Sequence, residues 1–214
     1  MQVDWALVAA GAGTSANRAR AAAAHLPPEV LAAAGAPRAV LVEGATDRAV
    51  LGVLLVRAGC PVPVVAAGGK QPLRLAHALL RAAGTACHVV VDGDARGWTR
   101  AGNRSRARAV HRRQTAAVLA WLPGAAGLVP GDPTTTTAAC TVWHDDLEAE
   151  LEQWPSFAAA LLAAGGEPRG KEPARYAAAA AAASPRDLPA GLRALLAAVA
   201  APPAEAAPPA PPGG

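Results

Sequence analysis

The sequence predicts an α/β protein whose parallel sheet is covered by helices on both faces. Three short apolar segments end in polar or glycine residues: "RAVLVEG", "CPVPVVAAGG" and "CHVVVDGD". Segments with apolar residues at helical spacing separate them, over about 47–58 and within "QPLRLAHALLRAAG". Nearly continuous apolar strands that alternate with helices are typical of a parallel sheet buried on both faces. Right-handed crossovers then place the carboxyl ends of these strands at one edge.

Further helical segments precede and follow this predicted sheet. The N-terminal residues are Ala-rich and are interrupted by Pro27-Pro28. After the third strand we predict a basic helix over about 100–120, a loop ("LPGAAGLVPGDPTTTT"), and three helices beginning at "HDDLEAELEQW", "KEPARYAAAAAAAS" and "PRDLPAGLRALLAAVA". The predicted segments are an N-terminal helical arm at 1–37, a sheet domain at 38–145, a C-terminal helical extension at 146–200 and a disordered Pro/Ala/Gly tail at 201–214.

Composition restricts the class of protein only in part. The chain has 214 residues, a formal net charge of +4 and a pI near 9.5, which is consistent with an anionic partner. Its cysteines, Cys60, Cys87 and Cys140, lack C-x-x-C spacing, which argues against a disulfide framework or a zinc ribbon. We find no basic signal-peptide region and no apolar run of the roughly 18 residues that a spanning helix requires. We therefore expect a cytoplasmic protein that does not enter a membrane.

Four carboxylates lie at the predicted strand ends. Glu43 follows the first strand, Asp92 and Asp94 follow the third, and Asp47 lies one turn into the helix after Glu43. Because ligands bind beyond the carboxyl ends of parallel strands, these side chains are expected to converge there. Such carboxylates repel one another and lose hydration unless a hard divalent cation neutralises them. Either pair alone has a simpler explanation, such as a helix-dipole role for Asp47; both pairs together favour a metal site.

These motifs resemble the TOPRIM domain, a metal-binding fold shared by topoisomerases, bacterial primases and several nucleases. "VLVEGATD" is followed further along the chain by "VVVDGD". The form "VEG-x-TD", the intervening "GGK" and a later "DDLE" are similar to the TOPRIM domain of the OLD (overcoming lysogenization defect) nucleases. The resemblance covers about residues 38–150. It implies a Rossmann-like TOPRIM sheet flanked by helices.

The resemblance also implies roles for the residues that match at the strand ends. Asp92 and Asp94 match the D-x-D motif that holds Mg²⁺. Glu43 matches a glutamate that is credited with metal binding or with acid/base work. The implied cofactor is therefore Mg²⁺ or Mn²⁺, as one ion or two, and two ions suit phosphodiester hydrolysis.

Three further residues match the OLD pattern outside the D-x-D motif. Asp47 matches a second acid of the OLD type, and Glu148, in "DDLE", matches a later acid that completes a second metal site. Lys171, in "GKEPARYA", resembles a lysine that contacts the scissile phosphate and is counted with the catalytic residues. Independently of the resemblance, Asp145 or Asp146 is predicted to cap the helix that carries Glu148.

A basic segment follows the third predicted strand. Arg100, Arg104, Arg108 and Arg112 recur every four residues and would form one stripe on a helix. Like charges at that spacing destabilise an isolated helix, so we predict that nucleic-acid phosphates, most simply those of DNA, bind there. Lys70, in "GGK", is assigned to the same phosphate-binding surface. The alternative is a solvated basic helix.

The leading functional hypothesis is a divalent-metal-dependent TOPRIM nuclease of the OLD type. Full OLD proteins carry an ABC-type ATPase ahead of the TOPRIM domain, whereas no phosphate-binding loop occurs here, since Val64 and Gln71 stand where Gly and Ser/Thr are required. A second hypothesis is therefore a non-catalytic TOPRIM module that binds nucleic acid or a separate ABC-type ATPase. An oligomer is compatible with either hypothesis.

A third hypothesis is a phosphatase similar to the haloacid dehalogenases. In that case Asp92 would be the nucleophile, Asp94 its acid, and Asp145 or Asp146 a metal ligand. The D-x-D motif follows the third predicted strand rather than the first, and the "VEGATD" motif has no role in such an enzyme. Both observations count against this hypothesis.

Overall fold

The computed structural model describes residues 3–95 and 104–202. Within these ranges the strands form one five-stranded sheet, whose members are β1 (Arg38–Val42), β2 (Val64–Ala66), β3 (Ala86–Val91), β4 (Thr135–Thr136) and β5 (Cys140–Val142). Their order across the sheet is β2-β1-β3-β5-β4. Strands β2, β1, β3 and β5 run parallel to one another, and β4 is antiparallel to β5. The protein is therefore an α/β protein with a mostly parallel sheet.

Helices precede, connect and follow the strands. In chain order they are α1 (Trp5–Ala12), α2 (Ala16–Ala23), α3 (Pro28–Ala32), α4 (Ala45–Arg57), α5 (Lys70–Ala82), α6 (Arg104–Leu119), α7 (Leu147–Leu151), α8 (Pro155–Ala163), α9 (Pro173–Ala182) and α10 (Ala190–Ala200), with a 3₁₀ turn at Pro185–Asp187 before α10. None of the described helices combines the length and the apolar character that crossing a membrane requires.

Alternate residues of the strands enter two separate hydrophobic cores. Leu41 of β1 and Val89 of β3 pack on one face with α1, α2, α3, α5 and α6. Val40 of β1 and Val90 of β3 pack on the other face with α4 and the helices from α7 onwards. Successive side chains of a strand point to opposite faces, so the continuous apolar strands confirm the prediction of a sheet buried on both sides.

The structure corrects the prediction for the Thr-rich segment. Residues Thr135–Thr136 were expected in a loop but form β4, the antiparallel strand that makes the sheet mixed rather than wholly parallel. The backbone N–H of Thr137 donates to the carbonyl of Cys140 at 2.8 Å and closes the turn between β4 and β5. Threonine is β-branched and favours extended backbone, and a Gly/Pro-rich neighbourhood concealed this tendency.

The C-terminal segment contains four α-helices where three were predicted. The stretch "HDDLEAELEQW" forms only α7, because Pro155 begins a new helix, α8, at its first position. The residue before a proline avoids helical backbone, and Trp154 is accordingly extended, with φ −110° and ψ 92°. The basic helix α6 begins at Arg104 within the described residues and ends at Leu119, close to the predicted end.

Candidate metal centre

The end of β1 is joined by backbone hydrogen bonds to the turn that starts α5. The carbonyl of Glu43 accepts from the N–H groups of Gly68 (3.1 Å) and Gly69 (2.9 Å). Both glycines have positive φ, 88° and 120°, a region that other residues rarely adopt. This turn brings Lys70, the first residue of α5, to the side of Glu43.

The end of β3 carries the D-x-D motif in a constrained turn. A Cβ on Gly93 would lie 2.1 Å from the carbonyl oxygen of Trp143, so only glycine fits between Asp92 and Asp94. Asp94 has φ 55°, in the left-handed region that Asp tolerates better than most residues. Its N–H donates to the carbonyl of Asp145 at 3.0 Å. The two aspartates are therefore held by backbone contacts with the segment that follows β5.

Lys70 links the two strand ends through its side chain. Its Nζ lies 2.5 Å from Asp94 Oδ2 and 3.6 Å from Glu43 Oε1, and the lysine side chain is only 8% exposed. Glu43 Oε1 also accepts from the backbone N–H of Asp92 at 3.0 Å. Burial alone would lower the pKa of Lys70, but the charges of the neighbouring carboxylates outweigh burial and raise it. Lys70 is thus a buried, charged ammonium at the predicted metal site.

A second lysine, Lys171, pairs with a different acid, Glu148. Asp146 accepts from the N–H of Ala149 at 2.9 Å and caps α7, as one of the two predicted alternatives required. The cap places Glu148 in the first turn of α7, where it is 6% exposed. Lys171 Nζ lies 3.6 Å from Glu148 Oε1, on a side chain that is 49% exposed. Asp47, in the first turn of α4, lies close enough to Glu148 for the two charges to interact.

The acids of this edge are costly to ionise. Burial raises the pKa of Glu43 to about 7, against the opposing charge of Lys70. Burial and the charges of Glu148 and Glu43 raise the pKa of Asp47 to about 7. Burial, followed by the charges of Glu43 and Asp47, raises the pKa of Asp92 well above its ordinary value. The pKa of Glu148 is also raised by burial. If all four of these acids were ionised, they would carry more negative charge than the two lysines neutralise.

Two contacting residues were missed by the sequence analysis. The hydroxyl of Thr115, on α6, donates to Asp94 Oδ2. Arg169, in the loop before α9, lies 3.9 Å from Asp145 Oδ2 and 3.7 Å from Asp146 Oδ2, and donates to Glu152 at 2.6 Å. Neither a single threonine within a helix nor an arginine in an arginine-rich chain carries a recognisable signal in the sequence.

The carboxylate oxygens of this site are suitable ligands for a hard divalent cation, but the acids do not surround a single point. Among residues 3–95 and 104–202, no three Asp, Glu, His or Cys side chains are close enough together to hold a metal ion. Instead, an ammonium group lies between Glu43 and Asp94 and another lies beside Glu148. Carboxylate oxygens are the ligands that Mg²⁺ prefers. A divalent cation would favour the ionised forms of Glu43 and Asp47, whose pKa values burial raises to about 7.

Only part of the predicted arginine stripe lies in the residues that the structure describes. Arg112 is exposed on α6, and its Nη2 donates to the carbonyl of Pro130 at 3.3 Å. The backbone of Arg104 and Arg108 belongs to the same helix. Arg100 lies outside the described residues.

The ends of β1 and β3 fall within a match to a known protein family. A model described as "Overcoming lysogenization defect protein-like, TOPRIM domain" matches residues 36–94. The match includes Glu43, Asp47, Lys70 and the D-x-D motif and ends before Glu148. No curated protein matches the chain significantly.

Proposed function

Because the chain contains an OLD-like TOPRIM domain at residues 36–94, a domain with a metal-binding and nucleic-acid-related function, we propose that it is a divalent-metal-dependent nuclease. Its reaction would be the hydrolysis of phosphodiester bonds, with DNA as the substrate and Mg²⁺ or Mn²⁺ as the cofactor. The observation that supports this proposal is the contact network at the ends of β1 and β3, where Lys70 links Glu43 and Asp94 and Glu43 accepts from the backbone N–H of Asp92, together with the charge interaction of Asp47 with Glu43 and Glu148.

The ligands divide naturally between the two sides of the edge. Glu43, Asp92 and Asp94 would hold one ion at the strand ends, where the N–H of Asp92 donates to Glu43 Oε1 and the N–H of Asp94 donates to the carbonyl of Asp145. Asp47 and Glu148 would serve a second ion. When bound, the metal would stabilise negative charge on the phosphate oxygens and lower the pKa of a water molecule.

The side chains of the protein itself would supply proton transfer and substrate binding. Glu43 would hold metal or act as a general acid or base, the two roles that the resemblance implies for it. Lys171, with its half-exposed ammonium, would contact the scissile phosphate. The exposed Arg112 and the other arginines of the predicted stripe would bind the phosphate backbone.

The cysteines in the described residues are free, which fits a cytoplasmic location.

The competing hypotheses make different demands on the same residues. A non-catalytic TOPRIM module that binds nucleic acid or a separate ABC-type ATPase would not need the whole acid set, so the presence of all five acids favours catalysis. The phosphatase hypothesis gains nothing from the family match, which is to a TOPRIM domain. It would also use Asp145 or Asp146 as a metal ligand, whereas Asp146 caps α7 and Asp145 Oδ2 lies 3.9 Å from Arg169 Nη2.

The proposal is tested by nicking of supercoiled plasmid with purified protein in EDTA, Mg²⁺ or Mn²⁺. We expect cleavage only with a divalent metal, and a loss of about 10²-fold or more in Asp92→Asn, because an essential ligand is removed. Asp132→Asn makes the same chemical change in the turn where Asp132 accepts from the N–H of Val129, outside the acid cluster, and should cleave normally.

The other outcomes separate the competing hypotheses. Metal binding measured by calorimetry without cleavage would favour a non-catalytic module, and activity restored by an added ABC-type ATPase would identify its partner. Absence of metal binding would contradict the proposed centre. Hydrolysis of small phosphomonoesters alone would favour the phosphatase.

A further inference from the structure

Lys70 occupies an unusual position for a buried cation. It is the first residue of α5, and the positive end of the helix dipole lies there, so the helix itself disfavours an ammonium group at this point. The first turn of α5 contains no acid that would offset this effect. The side chain is nevertheless 8% exposed and reaches two acids from other elements, Glu43 and Asp94. The contacts with these two acids therefore account for its position.

The oxygen atoms that Lys70 contacts also accept hydrogen bonds from other donors. Asp94 Oδ2 accepts from Lys70 Nζ at 2.5 Å and also from the hydroxyl of Thr115. Glu43 Oε1 accepts from the backbone N–H of Asp92 and lies 3.6 Å from Lys70 Nζ. A divalent cation at the strand ends would need these same carboxylates. A cation bound through Asp94 Oδ2 or Glu43 Oε1 would compete with the ammonium of Lys70 for the same oxygen atoms.

We propose that Lys70 is an exchangeable counter-ion, which neutralises Glu43 and Asp94 in the metal-free protein and leaves them when a divalent cation binds. This inference rests on the proposed metal centre. A lysine is suited to such an exchange, because its ammonium is a compact charge on a flexible four-carbon chain. The released ammonium would then be free to contact phosphate. The predicted phosphate-binding role of Lys70 therefore requires a loaded metal site.

Amine labelling of the wild-type protein tests the release directly. The chain has only two lysines, Lys70 and Lys171, so an acylating reagent followed by peptide mass spectrometry reports on each separately. In EDTA we expect slow labelling of Lys70, whose side chain is 8% exposed, and faster labelling of Lys171, at 49%. Saturating Mn²⁺ should accelerate labelling of Lys70 by about 10-fold or more, a change in the range of ordinary coupling between two sites.

Calorimetric titration with Mn²⁺ supplies a second, independent readout. A site that is competent only when Lys70 has left binds metal more weakly by the fraction of molecules in that state. Lys70→Met removes the competing charge, so the dissociation constant for Mn²⁺ should fall by roughly 10-fold. Lys70→Arg keeps the charge and should bind no more tightly than wild type. Arg81→Met removes one positive charge from the far end of α5, where Arg81 is exposed, and should leave metal affinity unchanged.

The outcomes distinguish this inference from the proposed function. If Mn²⁺ binds but Lys70 stays protected and Lys70→Met binds metal no more tightly, Lys70 is a permanent structural ion pair and the inference is wrong. If no Mn²⁺ binds to wild-type protein, the metal centre itself is wrong, and the inference falls with it. Should Lys70→Met fail to fold, the labelling of wild-type protein still decides the question.

Discussion

Two lysines form ion pairs with acids at one sheet edge, but their surroundings differ. Lys70 is almost completely buried, lies 2.5 Å from Asp94, and is positioned by the start of a 13-residue helix. Lys171 is half-exposed, lies 3.6 Å from Glu148, and belongs to a loop in which both it and Arg169 have left-handed backbone, with φ 50° and 63°. The strand-end half of the edge is thus fixed by the sheet, and the loop half by contacts between distant segments.

The two halves of the edge differ in how far solvent and substrate can reach their side chains. The strand-end acids and Lys70 are enclosed, and the family match covers them all. Glu148 and Lys171 lie beyond the match, and the lysine is open to solvent. We expect the strand-end half to determine metal binding and folding, and the loop half to determine how the substrate phosphate is held.

The largest expected effect on stability comes from replacing Gly93, in the strand-end half, by alanine. A Cβ on Gly93 would lie 2.1 Å from the carbonyl oxygen of Trp143 and 2.7 Å from that of His144, and neither backbone atom can yield easily. We expect Gly93→Ala to lower the free energy of unfolding by roughly 3 kcal/mol or more. Urea denaturation monitored by circular dichroism measures this change.

Gly170→Ala is the matched control in the loop half. Its Cβ would lie 3.0 Å from the carbonyl oxygen of Glu167, in an exposed loop that can adjust. We expect a cost of about 1 kcal/mol or less. Equal costs for Gly93→Ala and Gly170→Ala would show that the two halves are equally constrained, contrary to the comparison.

Asp47 lies between the two halves and gives the next largest effect. Burial and the charges of Glu148 and Glu43 raise its pKa to about 7 in the folded protein, against about 3.9 in an unfolded chain. For a carboxyl group with a raised pKa, the stabilising contribution is complete below the unfolded value and is lost as the pH rises through the folded value. Metal-free protein should therefore lose stability between about pH 4 and pH 7.

Asp47→Asn removes the ionisation and should reduce this loss. In EDTA at pH 8 we expect the variant to be more stable than wild type by about 1–2 kcal/mol, with little difference at pH 4. With Mn²⁺ the order should reverse, because the variant lacks a proposed ligand. Urea denaturation across this pH range measures both effects, with Asp132→Asn as the control. A variant less stable than wild type in EDTA at pH 8 would mean that Asp47 has a structural role.

The two halves also differ in how far the sequence predicts them. Glu43, Asp92 and Asp94 are predictable because the end of a parallel strand places the next residue at a known edge. Glu148 and Lys171 could be assigned only by resemblance, since their positions depend on how α7 and the loop before α9 pack. More than twenty residues of sequence separate Glu148 from Lys171, although their side chains form an ion pair.

Other features escaped prediction for related reasons. The contact of Thr115 with Asp94 depends on the orientation of α6, which no pattern in the sequence encodes. The strand β4 forms because its partner β5 is present, and Thr-rich segments have no periodicity of their own. The burial of Lys70 was also unexpected, because a lysine after Gly-Gly indicates phosphate binding more readily than an ion pair with two acids.

The smallest effect on stability, and the sharpest test of the comparison, is expected from Lys171→Met. An exposed ion pair contributes about 0–1 kcal/mol, so the free energy of unfolding should change by less than about 1 kcal/mol. Metal affinity should stay at the wild-type value, because Lys171 remains half-exposed and does not lie between two ligands. Plasmid cleavage should nevertheless fall by about 10²-fold, because a contact with the scissile phosphate is lost, and Lys171→Arg should restore part of it. If Lys171→Met instead strengthened Mn²⁺ binding as Lys70→Met is expected to do, the two lysines would be equivalent counter-ions. The division of the edge into a metal-binding half and a phosphate-binding half would then be wrong.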